Sequence, residues 1–339
     1  MNTPPTNANL MQSPEFRLAM IAVGVFALMS FLSPERFLST QNLTSMAFQF
    51  PEFAILALAM TITMMTGGID LSVVGIANFT AVIAATILTR FSGPEMSISL
   101  ALLWFGIAIF VSLVIGAICG YINGALVAYF GLPPILATVG SGLVFTGFAV
   151  AMTGGSAVMG FPEVVAWLGN ERLFSIPVPL IVFAVMAIGL HIGLTRTSFG
   201  LKVTMYGANP MAALFAAIDI NRMLLKVYIM SGMFSAVAGL VIMSRANSAK
   251  ADYGSSYLLL AVLIAVLGGV NPYGGYGRVV GVVLAVLSMQ FLSSGLNMLQ
   301  VSNFARELIW GALLIFVMVI NTTNWAAFRM FRPGPAKTG

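Results

Sequence analysis

The amino-acid sequence predicts an all-α, polytopic membrane protein with about ten transmembrane helices. Three observations carry that expectation. Hydrophobic residues make up 59% of the 339 and charged residues only 7%, whereas soluble domains carry about 25% charged residues. Many apolar runs reach the length of about 20 residues that a bilayer-spanning helix needs. The runs are also continuous rather than alternating, which favours helices over a closed barrel as the way to pair every backbone polar group within lipid.

The tail Met1 to Pro14 is polar and rich in Pro, Asn and Thr. The first apolar run, 16–33, carries Arg17 at its start and lacks a small-residue cleavage site, so an uncleaved first span is expected. Further spans are expected at 45–66, 71–89, 97–129, 135–153, 177–195, 223–245, 256–270, 278–299 and 304–321. The fourth is long enough to extend beyond the bilayer or to contain a bend, and the eighth is short. The organisation expected is a cytoplasmic N-terminal tail at 1–15, a transmembrane domain at 16–321 and a cytoplasmic C-terminal tail at 322–339.

Ten spans place both termini on one side. With the N-terminus in the cytoplasm, the inner segments carry Arg17, Arg196, Lys202, Arg222, Lys226, Arg278, Arg329, Arg332 and Lys337. The outer segments carry Arg36, Arg90, Arg172, Arg245, Lys250 and Arg306, and also the acidic Glu35, Glu95, Glu163, Glu171, Asp252 and Glu307. Nine basic residues against six favour cytoplasmic termini. The net charge of +5 is therefore explained by topology, with no call for nucleic acid as a partner. Cys119, the single cysteine, lies within an apolar run and has no internal partner for a disulfide.

Two loops stand out by length. The outer one, 154–176, contains Pro162. Within the inner one, 195–222, the stretch Pro210 to Ile218 reads as a short helix, with Asn209 as N-cap and Pro210 at the first helical position, where its missing N–H costs nothing. A short Ala-rich helix on such a loop is either a docking element or an ordinary surface helix.

Several chemistries are missing. No glycine-rich loop ends in Gly-Lys-Ser/Thr, so any ATP-driven step needs an ATPase on another chain. His191 is the only histidine, which excludes a His-based metal cluster. Intramembrane ionisable groups mark proton and ion relays. Only Glu52 and Asp70 come close here, and both are expected near span ends, so the pathway reads as nearly neutral and suited to an uncharged polar solute.

The most specific wording is Thr66-Gly67-Gly68-Ile69-Asp70-Leu71-Ser72, between the second and third spans. Two glycines break a helix there, and Asp70 or Ser72 can cap the next one. As chemistry alone this is a tight helical hairpin turn. As wording, Gly67-Gly68-Ile69-Asp70-Leu71-Ser72 resembles a signature of the ribose/galactose-type ABC transporter permeases, although the following Val73-Val74-Gly75 displaces that family's usual Val-Gly by one position. Further segments resemble the same family in the same order. They are Gly120-Tyr121-Ile122-Asn123-Gly124, Leu132-Pro133-Pro134, Tyr206-Gly207-Ala208-Asn209-Pro210 with Ala213, Ala217 and Ile218, Gly268-Gly269 with Gly274-Gly275, and Ser294-Gly295-Leu296-Asn297. The resemblance covers about residues 45 to 320. Residues 249 to 275 resemble its autoinducer-2 branch. Tyr257-Leu258-Leu259-Leu260 stands where many members carry acidic residues, which implies a subfamily or one half of a heterodimeric pair.

The resemblance implies a membrane permease subunit that is not itself an enzyme. It would pair with a second permease subunit, receive a monosaccharide or similar solute from a periplasmic or extracellular sugar-binding protein, and be driven by separate ATPase subunits. ATP and Mg would bind on the partner ATPase and no cofactor on this chain. Gly207, Asn209, Pro210, Ala213, Ala217 and Ile218 would form the coupling helix that docks on the ATPase. Gly67, Gly68, Asp70, Leu71 and Ser72 would form the family motif and a gate. Gly116, Gly120 and Gly124 recur every four residues and, with Asn123, read as a close-packing helix face, within the chain or against the second subunit. Two rival classes are a self-contained carrier or facilitator, which needs no ATPase, and an intramembrane enzyme, which needs a cluster of acidic or histidine residues at one membrane face.

Overall fold

The computed structural model describes residues 13–91 and 96–322. Most of the expected N-terminal tail, Glu95, and the expected C-terminal tail beyond Thr322, with Arg329, Arg332 and Lys337, lie outside the described residues.

The described chain is helical, with only four two-residue strands. Helix α1, Pro14–Leu32, starts where the Ser13 hydroxyl accepts from the Phe16 N–H at 3.3 Å, with Pro14 in the first turn. A short α2, Pro34–Phe37, leads to α3, Thr40–Met64, which the Ser39 hydroxyl caps through Asn42 N–H. There follow α4, Val73–Phe91; α5, Ile98–Ala128; α6, Pro134–Thr153; α7, Glu163–Asn170; and α8, Val178–Arg196. Helices α9, Ser198–Ala208, and α10, Pro210–Phe215, precede α11, Ile220–Ala246, which Asp219 caps through Arg222 N–H at 3.0 Å. The chain closes with α12, Tyr257–Leu267; α13, Val279–Met298; and α14, Asn303–Thr322.

Among the described residues, eight helices are long and apolar enough to cross a membrane: α1, α3, α4, α5, α6, α8, α11 and α13. Two further expected spans correspond to α12 and α14. Helix α12 has 11 residues, about 16 Å of axial rise, roughly half a bilayer core. The long fourth segment is one unbroken helix of 31 residues. Two expectations are corrected. The second span begins at Thr40 rather than residue 45, so Glu52 is the thirteenth of 25 residues in α3, not near its end. The loop 195–222 also contains the unexpected α9, and α10 stops at Phe215 instead of continuing to Ile218.

Helices α3, α4 and α11 form the middle of the bundle, and α1, α5, α6 and α8 surround them. The order inverts that of a soluble protein: α5 is the most apolar of the eight and is peripheral, while α3 is the least apolar and the most buried. The outer faces display Phe110, Ile118, Leu136, Leu143, Val185 and Phe31. Lipid accepts such surface at no cost, so burial here follows packing and polar pairing rather than apolarity.

The tightest contact joins α5 to α11. A Cβ added at Gly116 would lie 2.6 Å from the Gly232 carbonyl oxygen, one at Gly120 would overlap the Tyr228 carbonyl oxygen, and one at Gly124 would lie 3.0 Å from Leu225 Cα. These glycines therefore pack against the chain's own α11. Backbone cannot yield as a side chain does, so Gly120→Val is expected to cost at least the upper end of the 1–3 kcal/mol typical of overpacking, about 3 kcal/mol. A detergent melting curve checks this, with the lipid-facing Ile118→Val on the same helix expected to melt as the native chain does.

Candidate functional site

The loop between α3 and α4 is held by three other helices. Asp70 is fully buried. Its Oδ1 accepts from the Ser72 N–H at 3.0 Å and the Ser72 hydroxyl at 2.5 Å, and its Oδ2 accepts from the Ser231 hydroxyl of α11 at 2.7 Å. The Asn123 amide of α5 donates to Ser72 Oγ at 2.7 Å. Thr138 of α6 donates to the Ile69 carbonyl at 3.1 Å and accepts from the Leu71 N–H at 3.0 Å. Gly68 is a glycine because a Cβ there would lie 2.7 Å from the Tyr228 hydroxyl and 3.2 Å from Pro134. The Ser72 carbonyl accepts from Ile76 N–H, so Ser72 occupies the N-cap position by its backbone. The motif is a hub that ties α4 to α5, α6 and α11. That explains wording more specific than a hairpin turn requires. Tyr228 Oη and Asn123 Oδ1 in this hub, and His191 Nδ1 on α8, are buried and without hydrogen-bond partners among the described residues.

Three backbone segments meet beside the hub. The Gly275 N–H donates to the Met65 carbonyl at 3.0 Å. A Cβ at Gly207, near the end of α9, would overlap that same Met65 carbonyl and the Gly275 nitrogen, and one at Gly274 would lie 2.8 Å from Gly67 N and 2.9 Å from Gly207 Cα. Gly67, Gly274 and Gly275 all have positive φ, which glycine adopts without strain. The late glycine turn thus locks the α9–α10 unit to the end of α3 and to the approach to α13.

Asn209 caps α10 by accepting from Met211 N–H at 3.0 Å and Ala212 N–H at 3.1 Å, and Pro210 fills the first turn. The helix ends because Ala217 adopts φ 54° and the Ile218 N–H returns to the Ala213 carbonyl. Ala213 is fully buried against its own chain. Ala217, just beyond the helix, is exposed, and the large apolar side chains that α10 presents are Met211, Leu214 and Phe215, the last 82% exposed. Sequence reasoning singled out the alanines and missed these three. Their signal was an apolar triplet on a short loop helix.

The opposite end of α3 borders polar space. A cleft of about 490 Å³ lies between Gln41, Asn42 and Ser45 of α3 and Ser293, Ser294 and Asn297 of α13, with Glu35, Arg36 and Arg306 at its rim. A second of about 310 Å³ shares Gln49, Ser293 and Arg306 with it and continues inward to Tyr257, Gln290 and Trp310. Asn42 bridges the helices, donating to the Phe37 carbonyl and accepting from the Ser294 hydroxyl at 2.8 Å. Next to Tyr257, the buried Glu52 accepts from the Tyr257 hydroxyl at 2.9 Å and pairs with Arg245 from the end of α11, through both Nε and Nη2. The two central charges neutralise each other. Beyond them Arg245 meets α7, where a Cβ on Gly169 would overlap the Arg245 backbone nitrogen, and strand β1, Val158–Met159, pairs with β4, Ser248–Ala249.

A bundle of membrane-length helices with a polar cleft at one end and a rigid loop platform at the other defines a multi-pass membrane protein of the transporter class. Residues 42–318 match the family described as the branched-chain amino acid transport system / permease component. The chain is 34% identical over 336 residues to the autoinducer 2 import system permease protein LsrD of Escherichia coli O157:H7, covering 94% of this chain and 98% of that protein. The same identity and coverage hold for the LsrD proteins of Escherichia coli strain K12 and Shigella flexneri. No solved structure matches the chain. The chain therefore belongs to this family of ABC-transporter permeases and is a transport subunit rather than an enzyme.

Proposed function

We propose that the chain is the membrane-spanning permease subunit of a binding-protein-dependent importer for a monosaccharide or a similarly small neutral solute, autoinducer-2 among them. It lies in the bacterial inner membrane with both termini cytoplasmic. ATP hydrolysis, with its Mg, takes place on a separate ATPase subunit. A second permease subunit completes the pathway, and a soluble binding protein docks on the loop around Pro162.

The observation that carries this reading is the α10 platform. A six-residue helix displays Met211, Leu214 and Phe215 to solvent, and its base is locked through Gly207 to Met65 and Gly275. A partner that moves α10 therefore moves the ends of α3 and α13, the two helices that border the polar cleft. Support also comes from relatives named as import-system permeases over nearly the whole chain.

Exposed aromatic anchors of such interfaces typically carry 2 kcal/mol or more. Phe215→Asp is expected to remove the ATPase from the purified complex and to lower ATP-dependent uptake by at least about thirtyfold, while the permease still inserts. Undiminished co-purification together with native uptake overturns the reading.

A further inference from the structure

The cleft between α3 and α13 contains a group that the fold leaves unused. Gln290 is 3% exposed, and among the described residues no protein group is hydrogen-bonded to its amide. It lines the inner part of the cleft. Its amide opens on this cavity, so a donor and an acceptor side by side are available there to a hydrogen-bonding ligand. The surroundings narrow that ligand. Gln49 lines the same space, and because its amide nitrogen donates to the Ser45 hydroxyl at 2.7 Å, its carbonyl oxygen remains as an acceptor. Ser293 supplies a hydroxyl that both parts of the cleft share. Phe53 and Trp310 add apolar surface to the inner part.

We propose that this cleft is a recognition site for a neutral, polyhydroxylated small solute, formed by the permease chain itself. The proposal rests on the importer reading for its cargo class and adds the residues that meet the cargo. An amide presents a donor and an acceptor side by side, which match the two oxygens of a vicinal diol. The aromatic surface meets the C–H face of a sugar ring. A volume of about 310 Å³ for the inner part falls at the lower end of the about 300–1,000 Å³ of small-molecule sites. Charge argues in the same direction: the central Glu52 and Arg245 are paired with each other, and at the rim Glu35 and Glu307 balance Arg36 and Arg306. A site on a pathway has to release what it binds, so weak affinity is expected.

Cysteine protection tests this on the full chain in proteoliposomes. With Cys119→Ala removing the sole cysteine, Ser293→Cys places a reporter in the cleft, and Phe174→Cys places a control in an exposed turn that does not line it. Labelling by a small hydrophilic thiol reagent is followed with D-ribose, D-xylose, D-galactose or L-leucine present. The expected result is a several-fold, concentration-dependent slowing at Ser293→Cys by at least one sugar, none by leucine, and none at the control. Gln290→Met, close in size, is expected to abolish the protection, and Asn297→Cys to report the same pattern if Ser293→Cys folds poorly. Protection by no sugar at either reporter, equal protection by leucine, or protection that survives Gln290→Met overturns the proposal. The assay needs no ATPase. Sugar protection in a chain whose Phe215→Asp variant retains full ATP-dependent uptake would leave the cleft standing and the coupling assignment refuted; loss of protection with coupling intact would do the reverse.

Discussion

Arg245→Ala is expected to destabilise the bundle by about 3–5 kcal/mol, because it strands the buried Glu52 carboxylate inside the protein. Glu52 is 1% exposed and sits in the middle of α3. It loses both guanidinium contacts and keeps only the Tyr257 hydroxyl. The pair joins the end of α11, the middle of α3 and the start of α12, three elements far apart in sequence. Thermal melting in detergent should show a large drop, and much of the protein should leave the monodisperse fraction. The double variant Glu52→Gln with Arg245→Leu should recover most of the loss, since removing both charges also removes the desolvation penalty. Arg245→Lys should fall between, because an ammonium cannot reproduce the forked contact of a guanidinium. A double variant no more stable than Arg245→Ala would show that the charges are not what the site requires.

Asp70→Leu is expected to have an effect of similar size by another route. The carboxyl group satisfies the Ser72 N–H, the Ser72 hydroxyl and the Ser231 hydroxyl, all buried. Each stranded buried donor costs about 1–3 kcal/mol. Asp70→Asn keeps one acceptor and turns an N–H₂ toward donors, so it should lie between the native chain and Asp70→Leu. The loop lies within a few residues of Met65 and Gly67, where the α9 and late-turn backbones meet. Asp70→Asn should therefore reduce uptake more than its melting shift alone accounts for. A native melting curve for Asp70→Leu would sink the account of this loop as a structural hub. Uptake by Asp70→Asn that falls only in proportion to folded protein would remove its link to coupling.

The structure also assigns the close-packing glycines. Gly116 and Gly120 were equally compatible with a partner subunit on spacing alone, because a four-residue repeat states only that some backbone approaches closely. That backbone belongs to α11, more than a hundred residues further along. The same limit applies to α10. Asn209 and Pro210 mark its start by local chemistry. Which of its apolar residues face outward depends on how α9 seats it against Met65 and Gly275, a contact between three distant segments.

From the sequence by itself came the membrane environment, the helical class, most helix positions and the permease family. All of these rest on hydrophobicity, on chain-local signals such as caps and glycines, or on ordered wording. Tertiary structure alone decided the partners: that Asp70 meets Ser231 and Ser72 meets Asn123, that Glu52 is central and paired with Arg245, and that Gln290 and Gln49 border one cleft. Lipid tolerates apolar surface on any helix, so hydrophobicity cannot say which face turns inward. Buried polar groups must find donors and acceptors wherever the packed helices bring them, and those pairings span 51 to 193 residues of chain.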